Sequence, residues 1–256
     1  MKSYTETAHD LIVDLRIAIS LCTRLPIGPT TIGDGEVARA SWALPIAGLV
    51  VGLFGAAIYW IAARSHVPPL PASALAIAAT VLLTGAMHED GLADTADGFG
   101  GGKTRESKLE IMRDSRIGTY GSCALTLSLM LRWSALAEIA EPRLVAVALI
   151  AAHVSARAVL PIVMSFVPPA RADGLSSGAG QPPQQSAAIA LALGTICLLF
   201  SFGPSGALVA LLALGTIGLL LTRLAIRTIG GQTGDVLGAL EQVGEAAVLL
   251  IAASLL

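Results

Sequence analysis

Charge is what this sequence has least of. Only 13% of its 256 residues are Asp, Glu, Lys or Arg, about half the roughly 25% of a soluble domain, while 54% are hydrophobic. That balance excludes a water-soluble globule and leaves a polytopic membrane protein. Basic excess is missing too. A net charge of −2 with 4% aromatics excludes a nucleic-acid binder, which needs a basic face. Cysteine is scarce: Cys22, Cys123 and Cys197 form no CxxC and no even set, so they imply neither a disulfide framework nor a zinc site. No hydrophilic stretch is long enough for a second domain, so residues 1–256 are expected to form one integral-membrane domain. The polar start, Met1 to Asp10, carries no cleavable signal peptide, and no tandem or inverted repeat is visible.

What is present is a series of apolar segments. Residues 8–25 place Leu11, Ile12, Leu15, Ala18, Ile19 and Cys22 at helical spacing, which predicts an amphipathic helix at the interface, stopped by Pro26. Spans are expected at 41–63, 72–87, 119–140, 143–167, 187–202, 207–221 and 236–256, with a tight turn at Gly203-Pro204-Ser205. Gly48, Gly52 and Gly55 make a small-residue stripe that admits a close helix neighbour. Thr104 is placed to cap a short helix after the second span. The expected fold is an all-α transmembrane bundle of about seven spanning helices plus interfacial amphipathic helices. Arg64 and Arg143 fall on the far side and Arg132 and Arg157 within spans; every other Lys and Arg falls on one side. By the positive-inside rule that side is cytoplasmic, and it holds all the polar motifs.

The run His88-Glu-Asp-Gly-Leu-Ala-Asp-Thr-Ala-Asp97 follows the second span directly. Asp90, Asp94 and Asp97 are spaced i, i+4, i+7 and share one helical face. A carboxylate at bilayer depth costs about 2.5–3.5 kcal/mol, which a hard divalent cation with oxygen ligands offsets; a solvated helix end is the plainer alternative. The glycines at 98–102 before Lys103-Thr104 resemble a Walker A loop, but Asp97 stands where a glycine is needed and no strand precedes them. Arg113 and Arg116 are either a bidentate clamp for pyrophosphate or a positive-inside anchor. Gly230-Gly-Gln-Thr-Gly-Asp235 has the composition of a loop folded around a ligand, with Gln232, Thr233 and Asp235 as contacts. Glu241 and Glu245, i and i+4 on a membrane helix, either pair with Arg157 or Arg132 or bind substrate or a second cation. His88 is a candidate phosphate partner or proton carrier.

Three of these stretches carry a resemblance. His88-x-Asp-Gly-Leu-Ala-Asp-Thr-x-Asp97, Leu109-Glu-Ile-Met-Arg-Asp-Ser-Arg-Ile-Gly-Thr119 and Gly230-Gly-Gln-Thr-Gly-Asp-x-Leu-Gly-Ala239 are similar to the motifs of the cobalamin synthase family. Thr23-Arg-Leu-Pro26, Pro45-x-x-Gly-Leu49 and Ala170-Arg-x-x-Gly-Leu175 fit as well, so the resemblance covers essentially the whole chain. Glu89 stands where that family has an apolar residue and is not counted as a ligand. Ala156-Arg157 replaces an expected Ser-Arg pair, with Ser155 one position early.

The resemblance implies an adenosylcobinamide-GDP ribazoletransferase at the cytoplasmic (inner) membrane. Its members join adenosylcobinamide-GDP to α-ribazole or its 5′-phosphate, release GMP and require Mg2+. Asp90, Asp94, Asp97 and Asp235 would hold the metal, and Asp97, Asp94 or His88 would handle the proton. Arg24, Arg113, Arg116 and Arg157 would meet substrate phosphates. The implied partners are these substrates and membrane lipid, with homo-oligomers and neighbouring nucleotide-loop enzymes as further expectations. A CDP-alcohol or prenyl-type transferase is the alternative chemistry. A divalent-cation transporter is the alternative class, whose sites would lie at mid-membrane between related halves.

Overall fold

The computed structural model describes residues 4–27, 33, 35–172, 174 and 178–256. The turn residues 28–32 and 34, and residues 173 and 175–177 of the 170–186 loop, lie outside the described residues. The chain is helical: α1 (Tyr4–Cys22), α2 (Glu36–Ala40), a 3-10 turn (Ser41–Ala43), α3 (Leu44–Arg64), α4 (Pro69–Thr84), α5 (Met87–Gly101), α6 (Arg105–Ile111), α7 (Thr119–Ile139), α8 (Pro142–Phe166), α9 (Gln184–Ile229) and α10 (Gly234–Leu255). Among the described residues there is no strand, only a single bridge between Pro169 and Gln232.

Four helical segments are long and apolar enough to cross a membrane: 36–64, α8, α9 and α10. They become five if α4 and α5, bent 88° from each other, are one broken span. Leu, Ile, Val and Phe side chains remain exposed along α9, Phe200 at 89%, a surface that only lipid or another apolar partner covers.

α8 is the central helix. The glycine stripe of α3 lies against it and against α4. A Cβ on Gly48 would strike the His153 carbonyl, one on Gly52 would lie 2.9 Å from the Ile150 Cα, and one on Gly55 would meet Thr80. Alanines answer from α8, where Ala148, Ala151 and Ala152 are fully buried. The expected close approach is therefore present, with small residues on both helices.

Two departures matter for the site. The second span does not run on into the acidic residues. α4 ends at Gly85 (φ 69°), Ala86 is also left-handed (φ 60°), and the acids form their own helix. Gly85 supplies the left-handed conformation at no steric cost, and its missing Cβ leaves room for the Arg24 guanidinium. α9 is not straight: Gly203 (φ 68°, ψ −179°) breaks it just before Pro204. Gly194 packs on Ala158 and Gly218 on Val159. Two residues 24 apart on α9 thus meet the same turn of α8, so the chain doubles back at Gly203.

α1 is helical as expected, and Asp14 on it is buried. It is 4% exposed and accepts hydrogen bonds from Arg39 Nε and Trp42 Nε1, both 2.9 Å, which ties α1 to the start of the 36–64 segment.

Candidate active site

The acidic helix α5 crosses the start of α10 at a pair of glycines. A Cβ on Gly91 would lie 2.8 Å from the Asp235 carbonyl oxygen, and one on Gly238 would lie 3.3 Å from the His88 Cα. Backbone contact at that crossing sets Asp235 beside the acids of α5. Asp90 is exposed and Asp94 half-buried. Asp94 lies in the fields of Asp90, Asp235 and Asp97, with Arg171 opposing them. Thr233 caps α10, its Oγ1 accepting from Val236 N–H and donating to Asp235 Oδ2, both 3.2 Å. Gln232 is held by its backbone, which donates to Pro168 O (3.0 Å) and accepts from Ala170 N–H (2.8 Å). The 230–235 loop is thus folded against the 168–171 loop, and Arg171 Nη2 reaches Asp235 Oδ2 at 3.4 Å. Arg171 Nη1 is buried without a hydrogen-bond partner.

Asp97 has a different station. It is 8% exposed, and its two oxygens accept from Gly118 N–H (2.6 Å) and Gly121 N–H (2.9 Å), the residue just before α7 and the third residue of it. A Cβ at Gly118 or Gly121 would collide with the carboxylate. Asp97 therefore caps the start of α7 with both of its oxygens, which sets it apart from Asp90 and Asp94, beside which it was expected to hold the metal and accept the proton.

Behind α5 lies a buried charged network. Arg132 donates to Glu245 Oε1 (2.9 Å) and Glu89 Oε1 (3.1 Å). Glu245 also reaches His153 Nδ1 (3.0 Å). Arg157 pairs with Glu241 and faces the Nδ1 atoms of His153 (3.1 Å) and His88 (3.3 Å). Every member is at most 6% exposed. Arg157, Glu241 and Glu245, expected as substrate contacts, have partners inside the bundle: Arg157 pairs with Glu241, and Glu245 with Arg132 and His153. Among the described residues, His153, Glu241 and Glu245 are the one trio whose potential ligand atoms lie within 4.8 Å of each other. Arg157 already pairs with Glu241, and Arg132 with Glu245 and Glu89. Glu89, the departure from the apolar pattern, is explained by its contact with Arg132.

The remaining arginines spread along the same end. Arg24 donates its backbone N–H to Leu83 O (2.8 Å) and lays its guanidinium over Gly85, at the turn into α5. Arg116 is bound to Asp114 through Nε and Nη2, at 3.0 and 2.6 Å. Those bonds hold Asp114 below the usual carboxylate range. Arg113 is exposed on the same segment. The glycines at 98–102 serve packing: Gly98 lies on Met112, Gly100 on Tyr120 and Gly102 on Lys108, and Lys108 Nζ donates to Phe99 O (2.6 Å).

A cavity of about 280 Å3 opens next to Asp235. Leu44, Leu160, Met164 and Leu237 form its apolar wall. Ser41, His88, Arg171 and Asp235 form its polar side. Sequence reasoning passed over Ser41 and used Arg171 only as a topogenic charge and as part of a family motif; that motif was the signal available.

The chain matches the cobalamin-5-phosphate synthase family over residues 14–253. It is 62% identical over 251 residues to an adenosylcobinamide-GDP ribazoletransferase of Bradyrhizobium diazoefficiens, covering 98% of this chain and 96% of that one. The protein of that name from Mesorhizobium japonicum is 47% identical over 252 residues (98% and 97% covered). That from Azorhizobium caulinodans is 45% identical over 250 (94% and 95%). No solved structure matches. With the family matched from α1 to the end of α10 and relatives aligned across nearly their full length, the chain belongs to the cobalamin-5-phosphate synthase family.

Proposed function

We propose that the protein joins adenosylcobinamide-GDP to α-ribazole or its 5′-phosphate and releases GMP. Asp90, Asp94 and Asp235 supply the acidic side of the site and Arg171, Arg24, Arg113 and Arg116 the basic side. The observation that carries this reading is the glycine crossing of α5 and α10, which sets Asp235 beside Asp90 and Asp94 next to an arginine with an unpartnered Nη1. In the reaction a ribose hydroxyl oxygen forms a bond to the phosphorus attached to cobinamide. The bond from that phosphorus to the bridging oxygen breaks, the electron pair leaves with GMP, and the hydroxyl proton passes to a carboxylate, here Asp94.

The donor chemistry suits Mg2+: Asp90, Asp94 and Asp235 offer carboxylate oxygens, and Arg171 opposes the field of the acids around Asp94. Asp90, Asp94 and Asp235 would hold it, and when bound it would neutralise the pyrophosphate. The chain's own groups do the rest. Arg171 Nη1 is free to take a phosphate oxygen, Arg24 approaches from the turn into α5, and Thr233 keeps Asp235 oriented.

The same reading sets the topology at seven spans, α3, α4, α7, α8, the two arms of α9 and α10, with the site facing the cytoplasm. It is supported by contacts that join polar ends: Ser186 Oγ donates to Arg39 O (3.1 Å), Arg105 donates to Ala170 O (2.6 Å) and Gly230 lies against Arg105.

The test is Asp90→Asn in protein purified in nanodiscs and supplied with both substrates and Mg2+. Loss of GMP release with unchanged gel-filtration behaviour and melting temperature supports the assignment. Activity near wild type rejects the acidic site.

A further inference from the structure

The transferase reading gives the buried charges behind α5 no part in the reaction. We propose that one pair of them, Arg157 and Glu241, are positioning residues: they hold the His88 ring so that its Nε2–H donates to a phosphate oxygen of the bound substrate. This rests on the transferase reading and adds a hydrogen-bond donor to the site, together with the pair that sets its direction.

His88 belongs to two places at once. It lines the cavity beside Asp235 and Arg171, and its Nδ1 faces the charged network. Arg157 and Glu241 are at most 1% exposed and do not line that cavity, so they act on a substrate only through a third group. The backbone of His88 is fixed by the glycine crossing, where a Cβ on Gly238 would lie 3.3 Å from its Cα and from its carbonyl oxygen. The direction of the ring comes from the network. Arg157 Nη2 lies 3.3 Å from Nδ1, and Glu241 Oε2 lies 3.7 Å from it. A guanidinium only donates and an ionised carboxylate only accepts, so the two neighbours ask for opposite tautomers. At 3.7 Å the carboxylate makes no hydrogen bond, whereas 3.3 Å is a long one from the guanidinium. Nδ1 therefore carries the lone pair and the proton sits on Nε2, because the bond made by one ring nitrogen decides the state of the other. Arg157 is itself clamped. It pairs with Glu241, whose Oε2 accepts from Gln242 Nε2 at 3.0 Å, and its Nη1 donates to the His153 carbonyl at 3.2 Å. A donor held this firmly serves an oxygen that gains negative charge as the bond at phosphorus breaks. It does not take the hydroxyl proton, which stays with Asp94. A pair whose whole task was to join α8 to α10 would leave His88 dispensable.

The experiment measures steady-state GMP release and thermal unfolding of the full chain in nanodiscs. His88→Ala is expected to lower kcat about thirtyfold, the effect of one hydrogen bond to a charged oxygen, with KM for both substrates unchanged. His88→Gln, which returns an N–H at the Nε2 position, should recover about tenfold of that. His88→Asn, whose amide reaches only the Nδ1 position, should recover none. Arg157→Met with Glu241→Gln removes both charges together, so melting should stay near that of the wild type while kcat falls about tenfold. Adding His88→Ala to that pair should bring the loss only to that of His88→Ala alone, because groups acting as one unit do not add. Ring-nitrogen NMR spectra of the wild type, with His88 assigned from His88→Gln, should show Nε2 protonated and Nδ1 bare. The proposal is overturned if the pair variant keeps the wild-type kcat, if its loss multiplies in full with that of His88→Ala, or if His88→Asn serves as well as His88→Gln. The opposite tautomer overturns it as well, and needs no variant of the network to fold. All these results leave the transferase standing. Absence of GMP release from the wild type with both substrates present removes the transferase reading itself.

Discussion

Arg132 sits at 1% exposure between two carboxylates, Glu89 and Glu245. Taking such ions out of water is expensive, and their attraction only roughly offsets that cost. The asymmetry lies in breaking the set. Arg132→Met strips Glu89 of its arginine and leaves Glu245 with His153 alone, and is expected to destabilise the protein by about 3–5 kcal/mol. Replacing the group together, Arg132→Met with Glu89→Leu and Glu245→Met, should recover most of that loss, because well-packed apolar residues often stand in for a buried ion set at little cost. Thermal unfolding in nanodiscs measures both. A triple variant no more stable than the single one would mean the network holds the fold in some further way. Glu89 shows how far a residue reads alone: the sequence marks it as out of place beside the acidic motif, but its partner is 43 positions away on α7 and invisible until the helices pack.

The α5–α7 contact is where the two readings of one carboxylate separate. Asp97 completes the i, i+4, i+7 pattern of the acids, and by spacing it is their equal. The amides it caps belong to residues 21 and 24 positions downstream, so no local pattern distinguishes it. Gly118 and Gly121 leave the space that Asp97 needs, which nothing in their own neighbourhood of the sequence signals. If Asp97 is the cap of α7, Asp97→Asn keeps one acceptor oxygen and should cost about 1 kcal/mol of stability while retaining measurable GMP release, unlike Asp90→Asn. Gly121→Val forces a side chain into that carboxylate and into the Ala93 carbonyl, 2.8 Å from the Cβ position. It is expected to destabilise by about 1–3 kcal/mol, as overpacking does. Equal and complete loss of activity in Asp97→Asn and Asp90→Asn, with unchanged melting, would return Asp97 to the group of metal ligands. Other elements were plainer in the sequence. The Gly48-Gly52-Gly55 stripe is a helix contact, and Thr104 caps α6 with Ser107 in a capping box. What spacing could not supply was the 88° turn at Gly85-Ala86, since a left-handed alanine has no sequence signature.

For the whole molecule, hydropathy and the distribution of basic residues give an ordering of spans and a sidedness, and the decisive point is α9. A straight helix of 46 residues would be about 70 Å long at 1.5 Å per residue, more than twice the roughly 30 Å of bilayer hydrocarbon. It would also carry Gln184 and Ile229 to opposite ends, yet Ser186 bonds Arg39 while Gly230 packs on Arg105. Gly203-Pro204 was readable as a turn for local reasons: a left-handed residue that glycine alone adopts freely, then one without a backbone donor. Folding α9 there puts 203–205 on the face opposite the acids, together with Ser65. In a chain whose native cysteines are replaced by alanine, single cysteines at exposed positions test this directly. Ser65→Cys and Ser205→Cys are expected to react with a membrane-impermeant maleimide in intact spheroplasts. Lys103→Cys and Gln184→Cys should react only after lysis. Labelling of Gln184→Cys from outside would invert the α9 hairpin and, with it, place Asp90, Asp94 and Asp235 on the outer face, against the cytoplasmic site proposed above.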